Sequence, residues 1–273
     1  METNVKTKWL SMVVVACTAV AHAWTMADMA EIVLPGEYSG HLQDVCWDGC
    51  EYIYWAHTWD IVKTDLKGKI LRHVQVEGHN AGCQLKDGKL YVAVCPTEKR
   101  KIVAWGPESR LQVNEYDANT LALKAKHVMS ANDRAGSLAI LADGSFVVGC
   151  LRPRNITASQ VRFHHVNSNF AVLSTHLIDD LKIKMGIETI KRYGDSLYLF
   201  CYGAPIVRLD AKTFKETGRL GGFNGTCGFI YDGQNFWFGT SKCIKGKKPV
   251  AWRSKLVRVE KDARLMEFFE PKK

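Results

Sequence analysis

Residues 84–94 read QLKDGKLYVAV, in which two short strand-like runs flank an Asp-Gly pair. Asp-Gly supplies the positive backbone φ angles that tight turns between antiparallel strands require, so this stretch predicts a β-hairpin. The same arrangement occurs five times along the chain, with its turns at Asp48-Gly49, Asp87-Gly88, Asp143-Gly144, Gly194-Asp195 and Asp232-Gly233. The sequence is therefore built on a repeated hairpin.

Two further strand-like segments follow each hairpin, so that each repeat has four strands. Successive turns lie about 37 to 56 residues apart, which is close to the period of a propeller blade. A barrel or a sandwich would not need a four-strand repeat with its turn at one fixed place. We therefore predict an all-β fold, a five-bladed β-propeller of four-stranded antiparallel blades, as a single domain over residues 24–273.

The two ends of the chain carry separate expectations for the last blade. The apolar segment Leu265–Phe269 is expected to be its fourth strand. The segment Glu31–Leu34 is expected to add an outer strand to the same blade and so to help close the ring. We expect no long amphipathic helix.

The N-terminus has the features of an export signal. Lys6 and Lys8 precede an apolar run, and Ala21-His22-Ala23 matches the small-x-small pattern of signal peptidase, which predicts a signal peptide over 1–23 and cleavage before Trp24. Val14-Val15-Ala16-Cys17 resembles a lipobox, so a lipid anchor on Cys17 is the alternative. The run is too short for a retained membrane span. We expect a secreted or periplasmic protein.

Composition limits the classes of partner. The chain has 273 residues, 47% of them hydrophobic and 24% charged, which excludes disorder and a small disulfide-stapled module. The net charge of +9 suggests anionic partners outside the cell, such as acidic or sulfated glycans, and a charge that serves only solubility is the alternative. No nucleic-acid-binding motif is present, and we expect a monomer. Besides Cys17 there are eight cysteines, whose spacing does not select a disulfide pairing.

Part of the first repeat resembles known families. The segments His41-Leu42-Gln43-Asp44-Val45 and Val62–Lys69 are similar to secreted bacterial propellers, and the chain weakly resembles the five-bladed glutaminyl-peptide cyclotransferases. That family has a Gln in its first blade, matched by Gln43, and a catalytic Glu before a Gly in its second. Here the second blade reads Asn80-Ala81-Gly82, so Ala81 replaces the Glu. The resemblance thus implies the fold but not the cyclotransferase chemistry.

In a propeller, the innermost strands begin at one mouth of the central channel, where loops from several blades meet. The polar residues at or just before these starts are His41, His79, Asn80, Arg134, Glu188 and Asn224. Loops between second and third strands reach the same face. They carry basic residues and aromatic platforms, of which we select His57, Trp59, Trp105, Arg152, Tyr202 and Trp252. Tryptophan stacks on sugar rings, and Arg pairs with carboxylate or sulfate groups.

These residue types predict binding of an anionic oligo- or polysaccharide at the mouth, followed by cleavage. Because only Glu188 is well placed as a carboxyl group, elimination is favoured over hydrolysis, which needs two. His41 and His79 would serve as base and acid, Glu188 would titrate nearby, and Arg134 would hold the substrate carboxylate. The alternatives are that the histidines only fix blade junctions and that Arg134 and Glu188 form a structural ion pair.

Two broader questions stay open at this point. No cofactor is definite, although a divalent metal held by the two histidines is an alternative. A non-catalytic recognition or scaffold propeller, which holds a cell-wall polymer or a protein partner through the same basic face, is the second functional hypothesis. It predicts that loss of either histidine lowers stability but leaves ligand affinity intact.

Overall fold

The computed structural model describes residues 26, 29–98, 101–102, 110–131, 133–151, 160–179, 186–201, 204–223, 227–246, 250–259 and 262–269. Five four-stranded antiparallel sheets within these residues form a five-bladed β-propeller, as the repeat predicts. Among the described residues, no helix is long and apolar enough to cross a lipid bilayer.

The strands follow the chain blade by blade, after an N-terminal strand β1 (Glu31–Tyr38). Blade 1 contains β2 (Leu42–Trp47), β3 (Tyr52–His57), β4 (Asp60–Asp65) and β5 (Ile70–Gln75). Blade 2 contains β6 (His79–Lys86), β7 (Lys89–Cys95), β10 (Gln112–Asp117) and β11 (Leu123–Val128), with a small hairpin of β8 (Thr97–Glu98) and β9 (Lys101–Ile102) between its second and third strands.

The remaining blades repeat this order. Blade 3 contains β12 (Arg134–Ile140), β13 (Phe146–Leu151), β14 (Val161–Val166) and β15 (Val172–Ile178). Blade 4 contains β16 (Ile187–Tyr193), β17 (Ser196–Cys201), β18 (Ile206–Asp210) and β19 (Glu216–Leu220). Blade 5 contains β20 (Phe229–Tyr231), β21 (Phe236–Ile244), β22 (Ala251–Val259) and, as its outermost strand, β1.

The Asp-Gly turns at Asp48, Asp143 and Asp232 are stabilised by the aspartate side chain. In the first turn, Oδ1 of Asp48 accepts hydrogen bonds from the backbone N–H groups of Cys50, Glu51 and Tyr52 at 2.9–3.0 Å. The following Gly49 has a φ of 84°, which a residue with a Cβ rarely adopts. The residue pair therefore fixes both the turn and the register of its hairpin.

The ring is closed by β1, which confirms the expectation for the N-terminal segment. β1 pairs antiparallel with β22, with Ile32 opposite Leu256 and Tyr38 opposite Trp252. The expectation for Leu265–Phe269 is wrong, because this segment lies in a short helix α1 (Ala263–Phe269). The free edge of β22 is already occupied by β1, so α1 instead packs Leu265, Phe268 and Phe269 into the junction of blades 4 and 5.

The hydrophobic core is divided among the blade junctions. One cluster of buried side chains lies at each of the five junctions, and each contains large side chains such as Trp55, Phe163, Tyr198 and Trp237. At some glycine positions the inner strands lie too close together for a side chain. A Cβ on Gly136 would lie 2.4 Å from the carbonyl oxygen of Ile187, so this glycine lets blades 3 and 4 meet at the axis.

Four of the inner strands share an irregularity near their start. The pairing with the second strand skips Gln43 in β2, Gly136 in β12 and Glu188 in β16, and it shifts between Asn80 and Cys83 in β6. Each is a β-bulge, which leaves a residue unpaired and redirects its side chain. The bulges thus lie in a ring one or more residues inside the mouth of the channel.

Candidate functional site

Two histidines and a glutamine meet at the mouth where blades 1 and 2 begin. The side-chain amide nitrogen of Gln43 lies 3.1 Å from Nε2 of His41 and 3.4 Å from Nε2 of His79. The same nitrogen donates to the hydroxyl of Thr58 at 3.2 Å. The bulge at Gln43 places its amide between rings that come from two different blades.

This network assigns the tautomer of His41. Its Nδ1–H donates to the carbonyl oxygen of Leu42 at 3.0 Å, so in the neutral ring Nε2 must carry the lone pair. Nε2 therefore accepts from Gln43, which also fixes the orientation of that amide. Three acceptors surround an amide group that has only two hydrogens. One acceptor at the mouth is consequently available to a donor from a ligand.

A half-buried tryptophan flanks each of the two histidines. The rings of His41 and Trp252 have centroids 5.4 Å apart, and those of His79 and Trp59 lie 5.8 Å apart in an edge-to-face arrangement. Trp252 belongs to blade 5, whereas Trp59 lies in the loop after β3. We call the five residues Trp252, His41, Gln43, His79 and Trp59 the mouth cluster.

Both histidines of the mouth cluster are neutral at neutral pH. Burial lowers the pKa of His41, and burial together with the neighbouring His41 lowers the pKa of His79 to about 4. Nδ1 of His79 is buried beside the backbone of His79 and Asn80. Two unprotonated imidazoles therefore lie side by side and can accept protons.

Glu188 occupies the bulge of β16, near the start of the strand, and is buried. Burial raises its pKa to about 8, and its Oε1 has no hydrogen-bond partner in the described part of the chain. A facing guanidinium would shift the pKa in the opposite direction, so burial rather than an ion pair with Arg134 determines its protonation. Near neutral pH, Glu188 is consequently a neutral carboxylic acid.

Arg134 interacts electrostatically with His79 and with Cys95. It is the first residue of β12 and is buried. Its positive charge contributes to lowering the pKa of His79. The thiol of Cys95 interacts with both Arg134 and Glu188. The inner-strand starts of blades 1 to 4 therefore bring His41, His79, Arg134 and Glu188 to one mouth.

Two of the other predicted residues support blade junctions. His57 is fully buried, stacks on Tyr38 with ring centroids 4.3 Å apart, and lies 3.0 Å from the hydroxyl of Ser254 in blade 5. Asn80 is also fully buried and donates to the backbone carbonyl of His57 at 3.0 Å. The predicted residues Asn224, Trp105, Arg152 and Tyr202 lie outside the described residues.

An ion pair closes the channel below the bulges. Nζ of Lys191 in blade 4 lies 2.9 Å from Oδ2 of Asp44 in blade 1 and donates to the carbonyl of Val45 at 2.7 Å. Asp44 also accepts from the backbone N–H of Cys83 at 2.9 Å. Burial by itself would lower the pKa of Lys191. The facing carboxylate of Asp44 raises it by more, so the pKa of Lys191 lies above its ordinary value. Below this pair is a cavity of about 130 Å³ at the opposite end of the channel.

One group of metal-ligand side chains occurs among the described residues, away from the mouth cluster. The ligand atoms of Asp133, Cys150 and His164 lie within 4.8 Å of one another in blade 3. Nε2 of His164 lies 2.9 Å from Asp133, which also pairs with Arg162 at 3.1 Å. The three side chains could hold a metal ion, and they differ from the two histidines considered from the sequence.

Sequence reasoning missed the partners that organise the site. Gln43 was matched only to the family resemblance, and the only signal for its role is its position two residues after His41. The contact between Asp44 and Lys191 joins residues that are 147 positions apart. No local pattern could indicate this pair.

Comparison with known proteins finds similarity of fold only. No family model and no curated protein matches the chain. The crystal structure of Myxococcus xanthus glutaminyl cyclase matches with a TM-score of 0.51, covering 84% of this chain and 98% of that chain at 10% identity. A protein of unknown function from Bacteroides caccae matches with a TM-score of 0.47 over 70% of this chain and 72% of that chain, at 12% identity. The chain is a five-bladed β-propeller with distant structural similarity to a glutaminyl cyclase.

Proposed function

We propose that the mouth of this propeller binds an anionic carbohydrate outside the cytoplasm and cleaves it by elimination. The observation that carries the proposal is the combination of neutral imidazoles at His41 and His79 with a neutral carboxylic acid at Glu188. A proton acceptor and a proton donor that are both ready near neutral pH are what general base and general acid catalysis need.

The base in this reaction is one of the two imidazoles of the mouth cluster. In a uronate, the proton on C5 is acidified by the adjacent carboxylate, and a neutral imidazole can remove it. Nε2 of His41 carries a lone pair, and Nε2 of His79 lies against the same amide of Gln43. Because both imidazoles are deprotonated, we assign the acid role to Glu188 instead of to a histidine.

The general acid supplies the proton that the leaving group needs. As the base takes the C5 proton, the C4–O bond breaks and a C4–C5 double bond forms. Glu188 donates its proton to the leaving oxygen, which becomes the hydroxyl of the released sugar. The guanidinium of Arg134 would stabilise the negative charge that develops on the uronate carboxylate. Trp59 and Trp252 would bind the sugar rings on either side. No step depends on a metal.

The first test is product analysis with a His79→Ala variant. The full chain is incubated with polygalacturonate, alginate, heparin, chondroitin sulfate and a neutral glucan, and products are identified by mass spectrometry. We expect an unsaturated uronate product from an acidic glycan, and a loss of about 10²-fold or more in turnover for the variant. Glycan binding should persist, since the imidazole is not the main source of contact area.

The matched control is His165→Ala. His165 lies in β14 of blade 3 and contacts Ser145, so its loss should leave turnover unchanged. Products with water added would reject elimination in favour of hydrolysis. Turnover that His79→Ala does not alter would reject the role of the mouth histidines.

A non-catalytic recognition propeller is the second candidate, and the two tryptophans favour it. Trp59 and Trp252 are half-buried, so each leaves part of its ring open to a ligand. In this case Trp252→Ala is expected to weaken glycan binding by roughly 3- to 10-fold, the worth of one aromatic contact. Calorimetric titration of a glycan that yields no product would measure this, and His79→Ala should then change affinity little. Equal affinity of Trp252→Ala and wild type would remove the tryptophan from the binding surface.

A further inference from the structure

Two buried cysteines face each other at the junction of blades 1 and 2. Cys46 lies on β2, Cys83 lies on β6, and their sulfur atoms are 3.5 Å apart. Cys83 is fully buried and Cys46 nearly so, within the hydrophobic cluster that joins the two blades. A disulfide has a sulfur–sulfur distance of about 2.0 Å, so a movement of about 1.5 Å would join them.

The backbone around this pair is already fixed in place. The N–H of Cys83 donates to Oδ2 of Asp44 at 2.9 Å, which ties β6 to β2 beside the two sulfurs. Asp44 is in turn anchored by Lys191, whose ammonium group interacts with both thiols. The two side chains are thus kept together by contacts that do not depend on a covalent bond.

We propose that Cys46 and Cys83 form a disulfide that joins the inner strands of blades 1 and 2 beneath the mouth cluster. Cys46 follows Gln43 by three residues and Cys83 follows His79 by four, so the bond would fix the distance between the strands that carry these groups. This inference is independent of the proposed elimination reaction. It depends only on the cysteine pair and on an oxidising partner.

The chemistry needs an external oxidant, and we specify a glutathione-type disulfide. One thiolate attacks oxidised glutathione and releases one reduced glutathione; the second thiolate then displaces the other from the mixed disulfide. The protein loses two electrons and two protons, which convert one oxidised glutathione into two reduced molecules. Burial raises the pKa of Cys83 well above its ordinary value, so the thiolate is scarce in the folded protein. The bond therefore forms during folding, before the junction closes.

The test is to refold the full chain in a glutathione redox buffer and to map its cysteines. Free thiols are alkylated under denaturing conditions, and the peptides are analysed by mass spectrometry with and without reduction. We expect a cross-linked pair of peptides that contain Cys46 and Cys83. The pair should be retained in Cys150→Ser, a control at a buried cysteine in another blade, and lost in Cys46→Ser.

A second measurement separates the bond from simple packing of two thiols. The bond closes a loop of 37 residues, so a reductant present during refolding should lower the melting temperature of wild type by roughly 10 °C. A variant with both Cys46→Ala and Cys83→Ala should melt at the same temperature with or without the reductant. Recovery of Cys46 and Cys83 as alkylated residues from oxidatively refolded protein, or their pairing with other cysteines, would overturn the proposal.

Discussion

Between pH 6.5 and 8, the free energy of unfolding of Glu188→Gln is expected to stay nearly level while that of wild type falls. Folding raises the pKa of Glu188 from 4.5 to about 8, so the folded state holds a proton that the unfolded state releases. Stability then decreases as the pH rises, by about 4 kcal/mol from pH 4.5 to 8. Glutamine keeps the shape of the side chain and has no proton to lose.

Buried histidines make the free energy of unfolding depend on pH in the opposite direction at acid pH. Burial lowers the pKa of His57 to about 3 and, together with His41, that of His79 to about 4. These groups gain protons on unfolding, so their contribution to stability is lost as the pH falls below 6.5. Wild type should therefore be most stable near pH 6.5, and only its alkaline decline should disappear in Glu188→Gln.

Urea unfolding in buffers from pH 5 to 8.5 measures both the acid and the alkaline decline in the free energy of unfolding. Glu115→Gln is the control, because Glu115 pairs with Lys89 and His127 on the surface of blade 2 and its pKa is lowered rather than raised. This control should keep the alkaline decline. A parallel decline of wild type and Glu188→Gln from pH 6.5 upward would show that Glu188 is ionised in the folded protein. The groups around Glu188, namely Arg134, Cys95 and Cys201, are unchanged in the variant.

The Lys191→Met variant is expected to lose about 3 to 5 kcal/mol of stability, because it leaves the Asp44 carboxylate buried without its counter-ion. Asp44 is fully buried and Lys191 is 5% exposed, so water cannot replace the lost ammonium group. The double variant Asp44→Asn and Lys191→Met should recover most of the loss, since no unpaired charge then remains. Denaturant unfolding at pH 7 measures all three proteins.

A surface pair provides the comparison for this experiment. Lys255 and Glu31 join β22 to β1 at 2.7 Å, but both side chains are nearly half exposed. Lys255→Met should therefore cost less than about 1 kcal/mol. If Lys191→Met and Lys255→Met had equal effects, the buried pair would not be the element that holds blade 1 to blade 4.

Most of the fold could be predicted from the sequence because its signals are local. The turns at Asp48, Asp143 and Asp232 each fix one hairpin through hydrogen bonds from backbone N–H groups within four residues. The helix α1 was missed although Leu265, Phe268 and Phe269 have helical spacing. Its start also carries a capping signal, because Oδ1 of Asp262 accepts a hydrogen bond from the backbone N–H of Arg264. The repeat predicts a fourth strand for blade 5 after β22, but that place is filled by β1 from the other end of the chain.

The site was predictable only in part, for a physical reason. His41 and His79 could be placed because strand starts follow from the repeat. The bulges that aim Gln43 and Glu188 have no residue signature, and their effect appears only when five inner strands share one axis. His57 lies only two residues before Trp59 of the mouth cluster in the sequence, but the ring of Tyr38 covers it. Its burial depends on β1, which is distant in the order of the blades.

The pairing of β1 with β22 also determines when during synthesis the molecule can be completed. β1 is made before any blade, whereas its partner β22 is the last strand of the propeller to be translated, and Glu31 and Lys255 are 224 residues apart. Blades 1 to 4 can assemble progressively, but β1 has no partner strand until Ala251–Val259 has been released. A chain interrupted before that point exposes an unpaired strand edge, which is a surface for aggregation and proteolysis. Completion of the ring thus has to wait until the last strand of the propeller has been released.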